Sequence, residues 1–133
     1  MSEFTRNGIY DYIREEIKAE YQDAYVTSRY VAKPPKFPAV LIHEIDRNRP
    51  VRGIQLDFKD NQYESVYEAQ VVSTKLNTAA TEAYSIMEIV RAAFSNLYYR
   101  EFSETNIDGG NQFTLVGRFR RIIGDGDSMP TQQ

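Results

Sequence analysis

Ala83, Ile86, Met87, Val90, Ala93, Phe94, Leu97 and Tyr98 recur at spacings of three and four residues. At about 100° per residue they fall on one stripe of a helix, so the pattern predicts an amphipathic helix over residues 77–99. Ser85, Glu88, Ala92, Ser95 and Asn96 fall opposite and meet water or a polar neighbour. Asn77 or Thr78 can cap the first free amides; Glu82 lies near the positive end of the helix dipole and Arg100 follows near the negative end. Ile89 is the exception. It lies about 120° from the stripe centre and needs a second neighbour, another helix or a subunit.

A stripe of this length must be covered, and the flanking sequence supplies strands to cover it. Upstream, Tyr67, Ala69 and Val71 alternate with Glu68 and Gln70, the period of a strand over residues 63–74. Downstream, residues 106–111 (Asn-Ile-Asp-Gly-Gly-Asn) carry turn chemistry, and residues 112–123 read as the last strand. In it Phe113, Leu115, Gly117 and Phe119 face one way; Thr114, Val116, Arg118 and Arg120 face the other, and Arg121 points away from those two arginines.

The first half follows the same logic. Residues 1–6 read as a short arm, and Tyr10, Ile13, Ile17, Tyr21 and Ala24 predict a first helix over residues 8–22 with Asp11, Glu15 and Lys18 outward. Residues 25–31 are β-branched and aromatic, a strand ended by Pro34-Pro35. In the next strand, residues 37–44, Ala39-Val40-Leu41-Ile42 is continuously apolar, which implies cover on both faces. Residues 46–53 form a basic loop with Arg47, Arg49 and Arg52. Beyond it Ile54, Leu56 and Phe58 alternate with polar residues before an Asp60-Asn61 turn, which predicts a protruding hairpin. The elements make a single α/β domain over residues 1–123, and the Gly-, Asp- and Pro-bearing residues 124–133 read as a flexible tail.

The chemistry this chain can carry is narrow. It has no cysteine, which excludes disulfides, thiolate metal sites and a cysteine nucleophile. His43 is the only histidine, so His triads and multi-histidine metal sites are excluded; on a strand it reads as a structural hydrogen-bonding residue. Asp125-Gly126-Asp127-Ser128 resembles the start of a calcium loop, but the chain ends before the required twelfth-position glutamate. Gly109-Gly110 precedes a strand rather than a helix, so it reads as a turn and not a phosphate cradle. Glu15, Glu16 and Glu20 read as a solvated helix face. No catalytic, cofactor or metal residue is assigned, and an enzyme is not expected. No stretch approaches the ~20 apolar residues of a membrane span, and a net charge of -3 argues against a general nucleic-acid binder. The arginines are the remaining candidates, as solvent-facing ion pairs, contacts to carboxylates of another subunit, or contacts to nucleic acid.

Residues 37–124 resemble the tail terminator, or tail completion, proteins of tailed bacteriophages, also called neck or tail-to-head joining proteins. The matching pieces, in order, are Phe37-Pro38-Ala39-Val40, the residue 60–65 approach to the strand at residues 67–73, the helix with Ile86, Val90 and Phe94, and the closing Arg118-Phe119-Arg120-Arg121. The resemblance implies a small α/β (α+β) fold with two helices on one side of a mixed, mostly antiparallel sheet. It also implies a homo-oligomeric, hexameric ring that caps the tail tube, binds the tail tube protein and presents a surface to the head-closure or connector protein. Such a protein would assemble in the host cytoplasm and reside in the virion, with no cofactor; residues 47–52 are more basic than the resemblance leads one to expect, which points either away from a lumen position or to contact with passing genomic DNA. Candidate interface residues are Arg47, Arg49, Arg52, Phe58, Ile89, Arg118 and Arg120. Competing readings are a head-closure or minor capsid protein, and a small-ligand or RNA-binding α/β module.

Overall fold

The computed structural model describes residues 6–31, 33–48, 63–74, 78–109 and 112–123. The elements are α1 (Arg6–Glu20), β1 (Tyr25–Thr27), β2 (Ala39–Asn48), β3 (Tyr63–Ser73), α2 (Ala79–Asn96), β4 (Arg100–Gly109) and β5 (Gln112–Ile123). The strands form one sheet in the order β1-β2-β3-β5-β4. Among the described strands the β1–β2 pair is parallel, and β2–β3, β3–β5 and β4–β5 are antiparallel. The fold is therefore α+β with a mixed, mostly antiparallel sheet.

Both helices pack on one face, because both present apolar stripes and the strands offer one apolar side to meet them. Ile9, Ile13 and Ile17 of α1 and Ala83, Ile86, Met87, Val90 and Phe94 of α2 join Val40, Ile42, Tyr67, Val71, Leu115 and Phe119 in one buried cluster. The inward side of β5 is the one its alternation predicts. Gly117 lets α2 come close, since a Cβ there would stand 3.2 Å from Met87 Sδ. Under the C-terminal half of α2, Phe94 stacks on Phe119 at 4.4 Å between centroids and tilts against Tyr67 and Tyr99 at 5.6 and 5.2 Å.

The helix boundaries shift slightly from expectation. α1 starts two residues early, and its core stripe is Ile9, Tyr12, Ile13 and Ile17, with Tyr10 and Tyr21 only partly buried. Tyr10 instead donates to the Val26 carbonyl at 3.0 Å, which fastens α1 to β1. Thr78 occupies the N-cap of α2 without a side-chain cap hydrogen bond. Glu82 is buried in the first turn, where it accepts a hydrogen bond from Ser73 Oγ at 2.6 Å.

Three strand expectations are corrected. β1 is only Tyr25–Thr27, shorter than the predicted residues 25–31. β2 does not stop at Glu44 but runs to Asn48, so Arg47 lies on a strand and not in a loop. β4 was missed altogether: Asn106 to Gly109, read as turn, continue a ladder that pairs through Gly109↔Gln112. The continuous apolar run of β2 is covered on both faces, with Ala39 and Leu41 buried as well as Val40 and Ile42. The predicted hairpin, with Arg49, Arg52 and Phe58, and the tail at residues 124–133 lie outside the described residues.

Candidate interaction surface

The face of the sheet away from the helices has no helix over it among the described residues. Its side chains follow from register. One row across the sheet is Asp46, Val66, Arg120 and Arg100; the next is His43, Glu68, Arg118 and Ser103; the third is Leu41, Gln70, Val116 and Thr105. Two bulges flank a neighbouring row that faces the helices, at Ile45 in β2 and at Phe102 in β4. A bulge re-aims side chains and increases local twist. Here it brings Phe102 beneath Arg120, whose guanidinium carbon lies 5.2 Å from the ring centroid.

The two arginines assigned to this face in the sequence are chemically different. Arg118 Nε donates to Glu68 Oε2 at 3.1 Å, while Gln70 Nε2 lies 2.8 Å and His43 Nε2 3.3 Å from Glu68 Oε1. Burial alone would raise the Glu68 carboxyl, but the hydrogen bonds from Gln70, His43 and Arg118 outweigh it and hold the group below the usual carboxylate range. His43 thus has the structural hydrogen bond expected of it. Arg120 has the Phe102 ring and, directly across the β4–β5 ladder, a second arginine, Arg100. Phe102, Ile107 and Ile122 are exposed on the strands that carry these arginines.

At the β1 end the same face is covered by residues that follow β1. Tyr25, Tyr30, Phe37, Leu41, Gln70 and Thr114 line part of a cleft of about 150 Å³ there. Among the described residues, the sheet face is therefore clothed at one lateral edge and bare at the other.

Arg47 does something else. The bulge at Ile45 places Glu44 and Arg47 on the helix side, opposite Tyr67 and Ser65 respectively. Arg47 Nε donates to both Glu44 oxygens at 2.9 and 3.0 Å and stacks 4.3 Å over the Tyr63 ring. Ser65 Oγ donates to Glu44 Oε2 at 2.7 Å and accepts from Tyr99 OH at 2.8 Å. Burial pushes the Tyr99 hydroxyl well above its ordinary value. This chain of hydrogen bonds satisfies a carboxylate that is 3% exposed, and so acts as a structural clamp between β2, β3 and the start of β4.

Ile89 is partly buried against the core cluster. That cluster includes Ile9, Tyr12, Ile13 and Ile17 of α1, and α2 meets α1 directly where Asn96 Nδ2 reaches Tyr12 OH at 3.5 Å. Sequence reasoning missed Arg100, Phe102 and the Arg91 cluster, because all three depend on β4. Arg91 bonds Glu101 at 2.9 Å, Glu104 at 2.5 Å and also Glu88. Among the described residues, no group of three or more His, Cys, Asp or Glu is arranged to hold a metal ion.

A scan of protein-family models finds no match to this chain, and a search of curated proteins finds none either.

Proposed function

We propose that this protein is a structural component of a phage neck, a ring-forming tail terminator that caps the tail tube and joins it to the head connector. Its mechanism is binding. The observation that carries the reading is the bare part of the sheet, where exposed Phe102, Ile107 and Ile122 stand among Arg100, Arg118 and Arg120. Aromatic side chains and arginine are enriched at the energetic centre of protein contacts. The two-helix, one-sided α+β fold is also what the family resemblance implies.

Electron microscopy of particles assembled without the protein tests the reading. A terminator's loss leaves overlong tails, whereas tails of normal length that lack only the head attachment would indicate a head-closure protein instead. Normal, joined particles would rule out both.

A further inference from the structure

Arg100 and Arg120 are exposed and directly opposed in the β4–β5 ladder, and neither meets a carboxylate among the described residues. Like charges opposed on one sheet face destabilise the ladder, so this pair is relieved when an anion settles between the two guanidinium groups. Phe102, 47% exposed beside them, adds an apolar anchor. The other flank of β4 has the opposite surplus. Glu101 and Glu104 project to the helix side and gather with Glu88 around Arg91, three carboxylates against one guanidinium.

We propose that these two flanks are the halves of a head-to-tail contact between copies of this chain. The Arg100–Arg120 pair and Phe102 of one copy seat against the Glu88, Glu101 and Glu104 cluster of the next. This rests on the ring reading and names the contact that would build the ring. A second copy fits better than a nucleic acid, because a chain of net charge -3 repels a polyanion at long range and Phe102 has no phosphate to meet. Two different patches, joined in sequence, leave one of each at the ends of any chain of subunits. Association therefore continues, and a rotation that closes makes a ring where one that does not would make a filament.

The test is sedimentation velocity on the full chain with two variants. Arg100→Glu/Arg120→Glu removes the basic half; Glu88→Lys/Glu104→Lys removes the acidic half. Each alone should be monomeric where the wild type assembles, with the association constant lowered at least tenfold. Mixed, they should assemble again, because the intact arginine pair of one meets the intact acidic cluster of the other and the two charge-reversed patches complement each other in turn. Unchanged thermal unfolding controls for the fold, and Glu88→Lys alone, at a side chain 71% exposed, repeats the acidic arm without touching the Arg91–Glu101 pair. Wild-type-like assembly of the arginine variant, or a mixture that stays monomeric, overturns this contact while leaving the ring intact. A wild type that is monomeric both alone and with tube protein overturns the ring reading itself.

Discussion

Tyr98 occupies a position where helices usually end on glycine. Its φ is 66°, and the amides of Tyr98 and Tyr99 bond the carbonyls of Ser95 and Phe94, the paired hydrogen bonds of a Schellman ending. The accompanying contact is also present, since the Tyr99 and Phe94 rings lie 5.2 Å apart. Periodicity placed Tyr98 on the apolar stripe; in fact the reversal turns it out to 72% exposure and buries Tyr99 in its place. An L-residue held at positive φ costs about 1–2 kcal/mol, offset here only by an exposed stacking contact with Arg121 at 5.6 Å. Tyr98→Gly should therefore stabilise the chain by about 0.5–1 kcal/mol, read from the urea midpoint; a lowered midpoint would show that the ring contributes more than its backbone loses. Tyr99 sets a pH dependence of definite sign. Burial raises its folded pKa above the ordinary 10.0, so its contribution is fully present below that value and lost as pH rises beyond it. Above about pH 10 the wild type should lose stability faster than Tyr99→Phe, and parallel curves from chemical denaturation would contradict the assignment.

α2 and β4 are joined through Arg91, which makes β4 a strand held by side chains as well as by its ladder. Arg91→Ala leaves Glu88, Glu101 and Glu104 facing one another without their cation. With the arginine side chain 31% exposed, solvent screening limits the cost to about 1 kcal/mol. The loss should be local: hydrogen exchange in β4 should accelerate while β2 and β3 keep their protection, and uniform acceleration would show that Arg91 supports the whole sheet. The same polarity explains why β4 was illegible. A strand that buries almost nothing has no alternation to read, and Glu101, Glu104 and Asp108 look like loop residues until their pairing partners are known. β2 was cut short for a related reason, because a glutamate at position 44 looks like a strand end unless Arg47, Ser65 and the bulge that aims them are visible. By contrast α1, α2, β3 and β5 each bury one apolar face, and that periodicity made them legible. Arg118 and Arg120 were assigned to the correct face by the same alternation. Their different roles were not readable, since Glu68 and Arg100 reach them only through register.

On the scale of the whole molecule, the sheet is closed by helices on one side and unevenly covered on the other. Residues after β1 clothe Ala39 and Leu41, while Phe102, Ile107 and Ile122 remain exposed at the β4 edge. Among the described residues, β4 is also an outermost strand, ten residues long, with β5 alone beside it in the sheet. Charge is uneven in the same direction, with the Arg100–Arg120 pair on one flank of that edge and the Glu88–Glu101–Glu104 cluster on the other. A partner that recognises shape and charge together therefore has one lateral edge to choose. Hydrogen exchange compared between high and low salt checks this against the proposed contact between copies. Protection should appear in β4 and along residues 118–122, and the segment that covers β2 should exchange at the same rate in both states. Protection confined to α1 or to the cleft beside β1 would put the contact on the clothed edge. In that case the bare arginines would face a different component of the assembly and not a neighbouring copy of this chain.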